Sequence, residues 1–248
     1  MKVAFFSLAS VILVSLISLV GVFTLFIKTE RLKNILLFMV SFSVGALFGD
    51  AFIHLLPESF ERLGKNLITS LYIILGVLIF FVLEKFICWR HCHIPTSREH
   101  PHPVVFMNLV GDGLHNLFDG MVIAAGYLVS TTIGITTTLA VILHEIPQEI
   151  GDFGILVHGG LSRKKALFFN FLSAIVAIFG TLISLTIGPQ VKNYSFILLP
   201  ITAGGFIYMA GSDLIPELHK EVKLSKSLIQ FISIVTGIAI MAILTVLD

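Results

Sequence analysis

Apolar residues run in blocks of twenty or more along the whole chain, separated by short polar links. The blocks cover 3–27, 35–56, 67–89, 104–129, 131–158, 165–188, 196–215 and 227–247. A helix needs about 20 predominantly apolar residues to cross the hydrocarbon of a bilayer, so every block is long enough. A transmembrane β-barrel would instead show segments of about ten alternating residues. The pattern therefore predicts an all-α integral membrane protein with eight transmembrane helices in one domain, residues 1–248.

Composition agrees. Hydrophobic residues make up 56% of the 248 positions and charged ones 12%, about half the charge of an average soluble domain. The first block is too long for a secretory signal, whose apolar stretch is about 7–15 residues. It has Lys2 before it and Lys28, Arg31 and Lys33 after it, which predicts a retained helix with its N-terminus outside. With eight spans, the links 28–34, 85–103, 159–165 and 218–226 then face the cytoplasm and hold 12 of the 16 Lys and Arg. Cytoplasmic loops are expected to carry that excess, so both termini are expected outside a plasma (inner) membrane. A net charge of +1 without a basic tract gives no sign of nucleic-acid binding.

Against this apolar background the stretch "LHEIPQEIGDF" (143–153) is out of place. An ionisable group at mid-bilayer costs at least about 2.5–3.5 kcal/mol and marks a functional site by default. Span 4 carries Asp112, His115 and Asp119, three and four residues apart and so on one face, with Asn116 beside them. Span 5 carries His144, Gln148 and Asp152 four apart, with Glu145 and Glu149 on the neighbouring ridge. A tight link near 127–130 makes the two spans an antiparallel pair, and counting about 1.5 Å per residue puts both histidines near the midplane. Pro147 adds a break, because it crowds the carbonyl of Leu143 and removes that carbonyl's partner. Imidazoles, carboxylates, a carboxamide and a freed carbonyl form a ligand set for a divalent metal. The bland alternative is mutual pairing that holds two helices together. Interhelical hydrogen bonds in membranes average only about 0.6 kcal/mol, too little to justify five buried acids.

Spans 2 and 7 share a second pattern, "HLLPE" (54–58) and "DLIPE" (213–217). His54 and Glu58 in one, Asp213 and Glu217 in the other, stand second from opposite ends of the chain. Internal repeats around a midplane site are a recurring transporter plan, so spans 1–3 and 6–8 are expected to be inverted relatives. The link "CWRHCHIPTSREHPHP" holds Cys88, Cys92 and four histidines. A reducing cytosol disfavours a disulfide there, and the spacing has no zinc-finger register.

The motifs "HNLFDG" (115–120) and "HEIPQEIGD" (144–152) resemble the fourth- and fifth-helix signatures of the ZIP (Zrt-, Irt-like) metal transporters, in the subgroup whose fifth helix reads HEXPHEXGD. "GDAFIHLLPES" (49–59) and "GSDLIPEL" (211–218) are similar to that family's second- and seventh-helix motifs. The resemblance covers the whole chain. It implies a 3+2+3 arrangement with an inverted repeat of helices 1–3 and 6–8, and commonly a homodimer. It also implies metal ligands at His115, Asn116, Asp119, His144, Glu145 and position 148. Gln148 departs from the subgroup's histidine, and an amide cannot bridge two metals as a carboxylate does.

The expected function is transport of a divalent cation into the cytoplasm, zinc first, with iron, manganese or cadmium as alternatives. The ion is cargo, and no cofactor is implied. His54, Glu58, Asp112, Glu149, Asp152, His158, Asp213 and Glu217 are the expected pathway residues. Two rivals remain open on the residues alone. An intramembrane metal hydrolase would use H-E-x-x-H, but Gln148 occupies the second histidine position. A metal-sensing receptor would bind without flux. The absence of a nucleotide-binding loop excludes an ATP-driven pump for this chain.

Overall fold

Ser130 separates two of the longest helices. Its backbone is extended (φ −154°, ψ 162°), and its hydroxyl accepts a 3.1 Å hydrogen bond from the Ile133 amide, capping the helix that follows. Other boundaries are equally local. Gly64 (φ +84°) ends one helix, and the Asn66 carboxamide caps the next through the Thr69 amide at 3.0 Å. Gly160 (φ +100°) lets the Leu161 amide return to the Leu156 carbonyl at 3.1 Å, closing a helix in the left-handed conformation that glycine tolerates.

The computed structural model describes residues 2–20, 29–88, 103–191 and 193–244. Among them, eight helical rods follow in order: α1 (Lys2–Ile17), α2 (Thr29–Gly49, continued by Asp50–Leu55 and Leu56–Leu63), α3 (Leu67–Cys88), α4 (Pro103–Val129), α5 (Thr131–His158), α6 (Arg163–Ala174 and Val176–Ile187), α7 (Tyr194–Tyr208, continued by Met209–Leu214 and Ile215–Leu218) and α8 (Leu224–Leu244). No strand occurs among the described residues. Cys92 and the histidines of its loop lie outside them, as do the side chains of Cys88, His158, Asp213 and Glu217.

Among the described residues, five stretches are long and apolar enough to cross a membrane: Lys2–Val20, Leu37–Leu63, Arg163–Gln190, Tyr194–Ser212 and Leu224–Leu244. The chain is a membrane protein. Rod α3 adds a shorter apolar stretch, Leu67–Leu83. Rods α4 and α5 have ample length, 27 and 28 residues, and it is their polar load that sets them apart. The outer helices are inside-out by soluble standards. Rod α8 buries Gln230, Ser233, Gly237 and Met241 and turns Leu228, Phe231 and Ile232 outward, as expected where the solvent is lipid and small residues mediate contact.

Three helix crossings are close enough to exclude a side chain. A Cβ on Gly45 (α2) would lie 2.0 Å from the Ile234 carbonyl oxygen, and one on Gly237 (α8) 2.4 Å from that of Phe42. Gly76 (α3) and Gly204 (α7) repeat the relation, at 1.9 Å from Ile201 and 2.0 Å from Ile73. Gly120 (α4) and Gly180 (α6) do so at 1.8 and 1.9 Å. Each crossing is reciprocal, with each glycine facing the carbonyl three residues before its partner. The α2–α8 and α3–α7 pairs thus form one set of crossed helices, while α4 joins α5, α6 and α1 in another. Rod α5 also lies against α2.

Rods α2 and α7 share a further irregularity. Each widens into a π-turn for six residues, Asp50–Leu55 and Met209–Leu214. In both, a proline stands two residues beyond the widened turn (Pro57, Pro216), followed by Glu58 or Glu217. Proline offers no N–H and crowds the carbonyl four residues back. A wider turn just ahead of it absorbs the missing bond.

Candidate metal centre

The 3.6-residue period places His115 and Asp119 on successive turns of α4, and His144 and Glu145 at the middle of α5. The hairpin at Ser130 brings the two faces together. His115 Nε2 lies 3.3 Å from His144 Nε2 and 3.6 Å from both Asp119 Oδ2 and Glu145 Oε1. His144 Nε2 lies 3.1 Å from Asp119 Oδ2 and 3.7 Å from Glu145 Oε1. All four donors fall within 4.8 Å of one another and all four residues are buried. Four ligands about 2.0–2.1 Å from a tetrahedral Zn²⁺ stand about 3.3 Å apart. The five separations above bracket that edge.

Proton bookkeeping reaches the same place. His144 Nδ1 sits 3.0 Å from the Ala140 carbonyl oxygen. A carbonyl only accepts, so Nδ1 carries a hydrogen and donates, which leaves Nε2 facing the centre. Asp119 Oδ2 lies opposite it at 3.1 Å, a distance that one shared proton fills and that two ligands of one metal ion also adopt. Fixing a ligand imidazole by a hydrogen bond from its other nitrogen is the usual support for a metal site. Two neutral imidazoles and two carboxylates also carry a charge of −2, which a divalent ion cancels, as a low-dielectric site requires.

The walls are aromatic. Phe80 of α3 meets the His115 ring edge-on at 5.6 Å, and Phe206 of α7 lies 5.9 Å from the His144 ring. Residues from the first set of crossed helices thus close the site carried by the second.

The remaining expected ligands sit around this centre. Asn116 is buried and donates through Nδ2 to the Asp112 carbonyl (3.1 Å) and to Asp112 Oδ1 (2.8 Å), with its own Oδ1 unpartnered among the described residues. Gln148 is half-buried. The carbonyl that Pro147 frees is taken: the Ser43 hydroxyl of α2 donates to Leu143. That oxygen therefore belongs to a link between α2 and α5, not to the ligand set expected from sequence. Ser43→Ala is expected to leave the carbonyl bare at a cost of about 1–3 kcal/mol. A lowered unfolding temperature, with zinc content of the purified protein unchanged, would record it.

Of the expected pathway residues, Asp50 and His54 are buried in the π-turn of α2, with His54 Nδ1 3.3 Å from Asp50 Oδ1. Glu58 accepts from Arg62 at 2.7 Å at the rim. Asp112 and Glu149 are buried and Asp152 is half-buried.

The interior of α6 has no ionisable residue, yet the helix makes two polar contacts to the acids. The Ser173 hydroxyl donates to Asp112 Oδ2, and Asn170 Nδ2 donates to Glu149 Oε2. A signal existed: Asn170, Ser173, Ala177, Gly180, Thr181 and Ser184 make one small and polar stripe at helical spacing, and all are buried. Thr181 and Ser184 use it to donate to the Gly120 and Met121 carbonyls of α4.

Comparison with known proteins supplies an independent finding. A family model described as "ZIP Zinc transporter" matches residues 1–105 and 90–245, two overlapping segments that span nearly the whole chain. The zinc transporter zipt-7.1 of Caenorhabditis briggsae is 30% identical, over 100% of this chain and 80% of its own length. Zinc transporter ZIP13 of Pongo abelii is 33% identical over 83% of this chain and 65% of its own. Zinc transporter YKE4 of Saccharomyces cerevisiae is 29% identical over 88% and 73%.

Proposed function

Because this chain belongs to the ZIP zinc transporter family and so moves divalent metal rather than catalysing a reaction, we propose that its cargo is zinc first, held at His115, Asp119, His144 and Glu145. The observation that carries this reading is the near-tetrahedral set of 3.1–3.7 Å separations among four donors, two nitrogen and two oxygen. A mixed imidazole–carboxylate set suits zinc, while iron, manganese and cadmium remain admissible cargoes at such a site.

The ion enters past Glu58 and the Asp50–His54 pair, sheds water, and binds between α4 and α5. Asn116 and Gln148 orient or complete its shell. It leaves past Asp112, Glu149 and Asp152 to the cytoplasm, a route to which the sequence motifs add His158, Asp213 and Glu217. The eight rods are read as a 3+2+3 bundle in which α1–α3 and α6–α8 are inverted relatives. Two features support that reading. The π-turns of α2 and α7 hold the same register to their prolines. The glycine crossings α2–α8 and α7–α3 then become counterparts, since Gly45 and Gly204 each stand five residues before the widened turn. Both termini outside a plasma (inner) membrane follow from the Lys/Arg distribution, and a homodimer from the family resemblance.

Full-length protein in liposomes enclosing a zinc-sensitive dye is expected to give saturable Zn²⁺ influx, competed by Cd²⁺ and less by Mn²⁺. Binding without flux would favour a receptor and overturn the transport route. Stronger competition by Mn²⁺ than by Cd²⁺ would overturn the zinc assignment.

A further inference from the structure

Asp112 and Glu149 are left over by the metal centre. Each is almost wholly buried, and the hydrogen bonds they receive among the described residues come from amides and a hydroxyl: Asn116 and Ser173 for Asp112, Asn170 for Glu149. The four donors of the centre would balance one divalent ion, so these two buried carboxyls need either protons of their own or a second cation.

A separate observation concerns the turn of α4 before Asp112. Asn108 is 2% exposed, and neither its Nδ2 nor its Oδ1 has a hydrogen-bond partner among the described residues. It precedes Asp112 by one helical turn on the same face of α4. Helical side chains lean toward the N-terminus, so the Asp112 carboxylate tilts back over the turn that carries Asn108. Across from it, Asn170 is fully buried with its Oδ1 unpartnered, and Glu149 Oε1 is unpartnered as well. Among the described residues, none of these oxygens accepts a hydrogen bond. A native core rarely leaves so many in one place.

We propose that Asn108, Asp112, Glu149 and Asn170 form a second cation site, built of oxygen donors from α4, α5 and α6, that takes a divalent ion after it leaves the nitrogen–oxygen centre. Its residues stand three to seven positions along α4 and five along α5 from the histidines, about 5–10 Å by helical rise. The inference rests on the centre holding the first ion. Carboxylates and carboxamide oxygens suit Mn²⁺, Mg²⁺ or Ca²⁺ and hold Zn²⁺ more loosely than imidazoles do. Looser binding on the way out has a use, since a conducted ion must be held weakly enough to leave. Beyond the site, Val105, Phe153, Leu156 and Ala166 form their own apolar cluster where α4, α5 and α6 end or begin. Being apolar, that cluster offers the same oxygens no hydrogen-bond donor.

The test uses purified full-length protein, loaded with one equivalent of Zn²⁺ and then titrated with Mn²⁺ under electron paramagnetic resonance. One further equivalent is expected, without nitrogen coupling to the manganese. Asn108→Leu and Glu149→Gln should each weaken it at least about tenfold while the bound Zn²⁺ stays. A merely structural Asn108 would not act this way: losing an unpartnered amide would raise stability and leave Mn²⁺ untouched. His144→Ala should remove the Zn²⁺ and spare the Mn²⁺. Nitrogen coupling, absence of a second equivalent in the wild type, or Mn²⁺ binding unchanged in both variants would each overturn the site. Zn²⁺ retained in His144→Ala, with Mn²⁺ still lost in Glu149→Gln, would strike the upper centre and uphold this one.

Discussion

His144→Ala is expected to lower zinc flux by at least about 100-fold while the protein still folds. Loss of a supporting residue around a metal ligand already costs about 10–100-fold in affinity or activity, and His144 is itself a donor with separations of 3.1–3.7 Å to the other three. The fold should survive because removing the ring forfeits three contacts, to the Ala140 carbonyl, His115 and Asp119, each worth about 0.5–1.5 kcal/mol net, and leaves every helix crossing in place. Two measurements separate the effects. Uptake into dye-loaded liposomes reads the flux. Thermal unfolding with and without Zn²⁺ reads the site, because an ion present at a hundred times its dissociation constant stabilises by about 2.7 kcal/mol. The wild type should show that shift and lose it to a chelator, and His144→Ala should show none. Flux near the wild-type value in both His144→Ala and His115→Ala would remove the site assignment altogether.

Gly204→Leu is expected to prevent assembly of the bundle. A Cβ at that position would sit 2.0 Å from the Ile73 carbonyl oxygen, a backbone atom that cannot turn away. Overpacking a core costs about 1–3 kcal/mol where side chains can adjust. Here two helices must separate, so the loss should exceed the upper figure. Phe206 follows two residues later and Phe80 packs beside Gly205, so the aromatic walls of the metal centre would move with the crossing. Gly154 is the control. It is exposed on α5 with nothing within 4 Å of an added Cβ, and Gly154→Ala should gain about 1 kcal/mol from helix propensity. Yield of monodisperse protein and unfolding temperature report both. A Gly204→Leu protein as stable as the wild type would mean that the α3–α7 crossing is wrong.

The helices were legible because a membrane leaves the backbone no choice. Every N–H and C=O must be bonded within its own segment, so an apolar block of twenty residues reads as a helix without knowledge of its neighbours. The stops were legible for the same reason, since Ser130, Ser162 and Gly160 act on amides and carbonyls a few residues away. The shared faces of the candidate ligands followed from periodicity. His115 and Asp119 share a face of α4 whatever surrounds them, and a hairpin as tight as the one at Ser130 leaves His144 and Glu145 little room to be elsewhere.

Other features depended on contacts between distant segments. That Ser43 would take the Leu143 carbonyl, 100 residues away, could not be read from Pro147. Nor could the pairing of Asn170 with Glu149 and of Ser173 with Asp112, because amides and hydroxyls carry no sign of their partners and a filter for ionisable groups passes over them. The glycines of α2, α3, α4, α6, α7 and α8 were visible as letters, but only the crossing shows which of them must lack a side chain.

Sequence by itself therefore determined the class, the eight rods and the two faces that carry the metal donors, since each follows from bonding and periodicity within one segment. Tertiary structure alone decided which rods cross, which oxygens are taken and which stand free. Those outcomes depend on packing between segments far apart in the chain, where a shift of one ångström separates a hydrogen bond from a clash. Should the four donors prove unable to hold a common ion, the rods would remain and the transporter would lose its centre.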